Sequence, residues 1–145
     1  MIVSDSTVRA QVITRFFFGG IAGLPPNVHC HVGLFDETLP AFLRELPPTT
    51  PVSFVNVDCD LYSSTKTVLD NLAPHVVPGT IIVFDEYVMQ ANWRTGEYKA
   101  FVEAAEDHGW SFEYLAISLS TCQAVVRITD VAGGGIIVCD TNITL

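Results

Sequence analysis

Apolar positions along the chain alternate between two spacings. Val52-Ser53-Phe54-Val55-Asn56-Val57 is a β-rich run and Thr80 to Phe84 is continuously apolar. Between them Val68, Leu69 and Leu72 recur at helical spacing, behind Ser63-Ser64-Thr65 and ahead of Pro74. The Ser-Ser-Thr cluster offers N-caps, and Pro78-Gly79 reads as the turn into the second strand. Strand, helix and strand over about thirty residues predict a βαβ unit, which closes right-handed and makes its two strands parallel.

Upstream, Val8, Val12, Ile13 and Phe16 share one helical stripe, predicting a helix from Ser6 to Phe17 that Gly19 to Pro26 breaks. Val28 to Leu34 reads as a short strand, followed by a brief helix from Leu39 to Leu46 that Pro47-Pro48 closes. Downstream, Ala100, Phe101, Ala104 and Ala105 form the apolar stripe of a helix from Thr95 to His108, with Gly109 as its C-cap. Phe112 to Leu119 and Gln123 to Ile128 are strands, and their short link requires them to be antiparallel. Val131 to Leu145, with Gly133-Gly134-Gly135 inside it, reads as an appended tail.

The 145 residues match one domain, and 49% hydrophobic against 16% charged residues describes a globular chain. Its apolar runs, such as Ile81-Ile82-Val83-Phe84, fall well short of the roughly 18–20 residues that span a bilayer. No basic then apolar stretch opens the chain, so a cytoplasmic setting is expected. A formal charge of −9 with only seven Lys and Arg argues against a nucleic-acid or anionic-membrane partner. Cys30, Cys59, Cys122 and Cys139 form no C-x-x-C pair and sit in or beside strand-like runs, as small buried hydrophobes do. His29-Cys30-His31 resembles a zinc fragment, but strand alternation separates the cysteine from the histidines and further ligands are lacking.

The acidic residues are placed more tellingly. Asp58 and Asp60 follow the first strand of the βαβ unit; Asp85 and Glu86 follow the second, 85 − 58 = 27 residues later. In an open parallel sheet, ligands bind beyond the carboxyl ends of the strands. Neighbouring strand ends lie about 5 Å apart, so four carboxylates would share a small volume. Like charges there raise one another's pKa values, and a divalent cation relieves the cost; all-oxygen ligation favours Mg²⁺, then Mn²⁺ or Ca²⁺. The alternative is that the acids cap the following loops and face water.

Asn56 to Thr65, Pro78 to Tyr87, Trp93 to Phe101 and Gly33 to Pro40 together resemble the macrocin O-methyltransferase family. The resemblance spans about Val28 to Ile128. It implies an α/β fold, a partial class I methyltransferase (Rossmann-like) three-layer sandwich whose mostly parallel sheet carries a C-terminal antiparallel strand pair. The chain then divides into an atypical segment 1–27, a methyltransferase-like core 28–128 and a tail 129–145. By the same resemblance, Asp58, Asp85 and Glu86 match metal-binding positions and Asp60 the general base. Glu86 stands where a second aspartate is common. Gly33, Phe35 and Asp36 match the cofactor side. The loop that carries Tyr87, Trp93 and Arg94 joins the acidic strand end to the Thr95 helix, so it is expected to help cover the site; the alternative is an ordinary surface loop with Trp93 packed on the helix. Leu61 and Tyr62 are expected to pack the strand-to-helix turn. The implied activity is metal-assisted methylation of a sugar or natural-product hydroxyl with S-adenosylmethionine and Mg²⁺ or another divalent cation.

The family's opening strand with its acidic, glycine-rich cofactor loop, and the second strand with its acidic end, are not visible. Gly19-Gly20-Ile21-Ala22-Gly23 lacks an acidic lead-in and reads as a turn. The chain is therefore expected to be shortened or altered at its start, with open sheet edges that favour a homo-oligomer, and to hold the cofactor weakly. Two rival readings stand beside this one. The chain could be an inactive remnant that serves association, or a metal-dependent phospho- or glycosyltransferase using Asp58 and Asp60. Against the second, Lys66 follows the first acidic motif too closely to serve as the phosphate-binding lysine.

Overall fold

The computed structural model describes residues 2–5, 10–14, 26 and 28–131, with side chains described from residue 26 onward. Seven strands form one sheet: β1 (Ile2–Asp5), β2 (Ala10–Thr14), β3 (Val28–Val32), β4 (Val52–Val57), β5 (Val76–Phe84), β6 (Trp110–Ile117) and β7 (Ala124–Val131), in the order β3-β2-β1-β4-β5-β7-β6. Three α-helices among the described residues accompany it: α1 (Phe35–Glu45), α2 (Tyr62–Leu72) and α3 (Glu97–Asp107).

The predicted βαβ unit is β4-α2-β5, with parallel neighbouring strands, and the predicted antiparallel pair is β6-β7. Helix α1 packs on α2 and α2 on α3, so the described helices form one layer. Alternation turns Val55 and Val57 of β4, Ile82 and Phe84 of β5, and Val126 and Ile128 of β7 into that layer, where all six are fully buried. They meet Val68, Leu69 and Leu72 of α2 and Phe101 and Ala104 of α3. Each such side chain contributes about 1.5–3 kcal/mol on leaving water, which seats the strand ends firmly. On the sheet's other face, Phe54, Asn56, Ile81, Val83 and Val125 are only half-buried.

The amino-terminal segment departs from expectation. Residues 10–14 form a strand, not part of a helix, and the sheet positions expected to be empty hold β1 and β2. Ala10-Gln11-Val12-Ile13-Thr14 suits a strand as well as a helical stripe, and pairing in register with β3 decides between the two. With only residues 6–9 between them, β1 and β2 are antiparallel, and β1 runs antiparallel to β4 as well. Ile2 pairs with Asn56 at the carboxyl end of β4, and Asp5 with Val52 at its start. The glycine run 19–23 and the tail 132–145 lie outside the described residues.

Other boundaries shift for local reasons. Helix α1 starts at Phe35, because Leu34 O accepts from Glu37 N, Thr38 N and Thr38 Oγ1; Pro40 therefore lies inside the helix. Helix α2 starts at Tyr62 with Leu61 as N-cap, so the expected caps at Ser63, Ser64 and Thr65 are already helical. Pro78 and Gly79 lie within β5, in the bulge where its register with β4 shifts, and Gly79 takes φ 99. Thr80 Oγ1 ties this bulge down, accepting from Val77 N and donating to Val52 O. Thr95 falls in a short 3-10 turn, Trp93–Thr95, ahead of α3. Gly109 follows the cap residue His108 with φ 66, the left-handed close of a helix.

Candidate active site

The last paired residues of β4 and β5 are Val57 and Phe84, and Asp85 N donates to Val57 O at 3.0 Å. Asp58 and Asp85 therefore leave adjacent strand ends together. The chain then turns sharply: Leu61 N reaches Cys59 O at 2.6 Å, and Asp60 takes φ 59. Aspartate enters that left-handed region more readily than most residues. The turn stands Asp60 up at the rim of a cleft of about 440 Å³, which Glu86 and Trp93 also line.

Asp60 is exposed, yet its carboxyl is raised above its ordinary value. Partial desolvation contributes most, followed by the charges of Glu86 and Asp58, a hydrogen bond with Glu86, and the charge of Asp85. A carboxyl-carboxyl hydrogen bond needs one proton between the two groups. The two acidic pairs thus act on one another electrostatically, as their strand-end positions require. Among the described residues, no three His, Cys, Asp or Glu side chains stand together in metal-holding geometry.

Two polar residues without an assigned role in the sequence reading organise these loops. Glu97, the first residue of α3, is fully buried. Its Oε1 accepts from Cys59 N at 3.3 Å and its Oε2 from Glu86 N at 3.1 Å. Burial pushes its carboxyl up to about 7, opposed by the two N–H groups and assisted by the charges of Glu86 and Asp58. Burial likewise pushes the Cys59 thiol up to about 11. Gln123, just before β7, donates from Nε2 to Asp85 Oδ1 at 2.5 Å. An acidic residue opening a helix ordinarily signals only the helix dipole, so neither long-range contact has a local signature.

The expected substrate loop divides. Trp93 lines the cleft, its ring 4.9 Å from Tyr98 edge-on and capped by the Arg94 guanidinium at 4.2 Å. Tyr87 does not line it: the ring is buried against Phe84, Tyr98 and Phe101, and its hydroxyl meets that of Tyr114 at 2.7 Å. Tyr87 N and Val88 N both donate to Cys122 O, which turns this side chain inward. Leu61, expected to be packed into the turn, is 55% exposed and lines the cleft. Tyr62 lines it too, its hydroxyl donating to Glu103.

Phe35 and Asp36 line a second cleft of about 350 Å³ with Ser63 and Ser64, and Ser63 also borders the first. Gly33 does not line it: this residue packs on Thr38, where a Cβ would stand 2.5 Å from Thr38 Cγ2. Phe35, Asp36 and the acidic loops therefore open onto adjoining clefts. Lys66 is held by Asp70 at 2.6 Å and Asp107 at 2.9 Å, on the side of α2 facing α3, which removes it from a phosphate-binding role. His29 is exposed and His31 packs on Phe42 at 5.1 Å; neither joins a metal-holding group among the described residues. No helix among the described residues is long and apolar enough to cross a membrane.

A family model described as a methyltransferase domain matches residues 4–87. The chain is 37% identical over 59 residues to the 8-demethyl-8-(2,3-dimethoxy-alpha-L-rhamnosyl)-tetracenomycin-C 4'-O-methyltransferase of Streptomyces olivaceus, a match covering 41% of this chain and 21% of that protein. It is 33% identical over 82 residues to the demethyldecarbamoylnovobiocin O-methyltransferase of Streptomyces niveus, covering 51% and 31%. These matches thus span between a fifth and a third of the relatives' length. The apo structure of CalS11, a TDP-rhamnose 3'-O-methyltransferase of calicheamicin biosynthesis, superposes with a TM-score of 0.61 at 24% identity, over 81% of this chain and 56% of that one. That likeness establishes the fold.

Proposed function

This chain belongs to the methyltransferase domain family, and from that premise we propose that it transfers a methyl group from S-adenosylmethionine to a hydroxyl of a small, sugar-bearing natural-product acceptor. The observation that carries the reading is Asp60, which lines a cleft at the carboxyl ends of parallel strands and is raised in basicity by partial desolvation and then by its three neighbouring carboxylates. The acceptor class follows from the names of the two Streptomyces relatives.

S-adenosylmethionine, when bound, supplies an electrophilic methyl group on a sulfonium. Phe35 and Asp36, with Ser63 and Ser64 beside them, are the residues that would line its adenosine end. Asp60 would take the acceptor's hydroxyl proton as that oxygen receives the methyl group. A carboxylate whose pKa is raised is a stronger base than an ordinary one, so the crowding of acids aids this role. Trp93 and Leu61 present apolar surface to the acceptor and exclude water from it.

The donor set suits an oxygen-preferring divalent cation in kind. Asp58, Asp85 and Glu86 would hold Mg²⁺ or Mn²⁺, whose charge offsets their repulsion and adds Lewis acidity. The thiols of Cys30, Cys59 and Cys122 are free, which fits a reducing cytoplasmic setting.

Methyl-labelled S-adenosylmethionine offered with a rhamnosylated acceptor tests the reading. The chain is expected to label the acceptor, and Asp60→Asn to slow labelling about 10²–10⁴-fold. Equal rates would remove Asp60 from the chemistry, and absence of labelling by the wild type would overturn the proposal.

A further inference from the structure

Beyond Asp85 N, the β4–β5 ladder offers no further rung to the acidic loops. Cys59 N and Glu86 N belong to different strands' ends, and the side chain that joins them comes from a third element, α3. We infer that Glu97 is a positioning residue, a brace whose two carboxylate oxygens set the spacing between the Asp58–Asp60 loop and the Asp85–Glu86 loop. The inference rests on the reading of Asp60 and Glu86 as groups of the reacting site.

The chemistry of the contact supports a positional role over a stabilising one. None of the ion pairs among the described residues involves Glu97, and the side chain is fully buried. A buried carboxylate without a cation costs stability, and its two backbone N–H partners offset only part of that cost. The carboxylate, however, supplies two acceptors held in one plane at a fixed separation. Glutamine offers one acceptor and would turn an N–H₂ toward the other backbone N–H. The Glu97 side chain is itself fully buried, so the pair of bonds transmits the position of α3 to both loops. Gly96 helps to place it: the residue immediately before Glu97 is the N-cap of α3, and its Cα lies close to the Asp60 carbonyl, since a Cβ there would be 3.9 Å from that oxygen. The start of α3 thus sits directly beneath the acidic loops.

Backbone amide exchange of the full chain by NMR, in wild type and Glu97→Gln, tests the brace. Exchange at Cys59 and Glu86 is expected to accelerate at least tenfold in the variant, while Val57, Asp85 and the β5–β7 ladder keep their protection and the melting temperature does not fall. In methyl transfer, kcat is expected to fall about tenfold or more, with the KM for S-adenosylmethionine little changed. Unchanged exchange at Cys59 and Glu86 overturns the inference, and so does a uniform loss of protection with a lowered melting temperature, which marks a merely structural residue. Should Glu97→Gln not fold, Glu97→Asp replaces it, with loss of protection at one or both amides expected and full protection at both overturning the brace. The exchange measurement decides the brace even where no methyl group is transferred; transfer by the wild type decides the function separately.

Discussion

Gln123 donates from Nε2 to Oδ1 of Asp85, joining the β6–β7 connection to the end of β5 across 38 positions of sequence. The contact restrains the Asp85 carboxylate through one of its two oxygens. Removing a hydrogen-bond partner that orients a ligating carboxylate typically lowers metal affinity about 10–100-fold. Gln123→Ala is therefore expected to weaken Mn²⁺ binding by that factor in a calorimetric titration. Unchanged affinity would mean that Gln123 only closes the loop.

The metal reading itself has a more direct check. Titrating Mg²⁺ or Mn²⁺ into wild type and into the Asp58→Asn/Asp85→Asn double variant should give binding in the first and none in the second. Equal heats from both would assign any bound ion to some other site.

Glu97 makes stability depend on pH with a definite sign. Its carboxyl lies at about 7 in the folded chain against 4.5 ordinarily, chiefly through burial. Between those values the native state holds a proton that the unfolded state has released. The contribution is complete below pH 4.5 and is lost as pH rises through about 7. The difference corresponds to about 3 kcal/mol, an order-of-magnitude figure. Urea midpoints are expected to fall across this window in wild type, and by distinctly less in Glu97→Gln. Parallel pH profiles for the two would show that Glu97 ionises normally.

Gly33 and Thr38 form a tight pair where β3 leads into α1. A Cβ at Gly33 would meet Thr38 Cγ2 at 2.5 Å, and Thr38 is held in place because its Oγ1 donates to Leu34 O. Gly33→Ala is expected to cost about 1–3 kcal/mol by overpacking. Thr38→Ser, which removes the methyl and keeps the hydroxyl, should recover the contact part of that cost and leave the part set by the Gly33 backbone, whose φ of 158 side chains rarely adopt. A double-mutant cycle by denaturation measures the coupling, and additive effects would contradict the contact.

Much of this architecture was legible because its signals are local. Val52–Val57, the Val68-Leu69-Leu72 stripe and Ile81–Phe84 carry their periods within single windows, and the acids at both strand ends follow from direction alone. Residues 10–14 show the limit: Val12 and Ile13 satisfy a helical stripe and a strand equally, and the choice depends on β3 and β1 as partners. Pro78-Gly79 reads as a turn, yet Thr80 Oγ1 holds the segment in the sheet as a bulge. Glu97, Gln123 and the burial of Tyr87 depend on contacts with residues 11 to 38 positions away, to which no spacing rule applies.

The reversed direction of β1 decides what each end of the hairpin can reach. Because Ile2 pairs with Asn56 and Asp5 with Val52, the strand enters the sheet at the rim that bears the acidic loops and leaves at the opposite rim. A fluorophore or spin label attached at Ile2 would be anchored one strand spacing, about 5 Å, from the Asn56 backbone that leads into Asp58. The amino-terminal end of β1 is thereby a natural vantage point for reporting on the cleft.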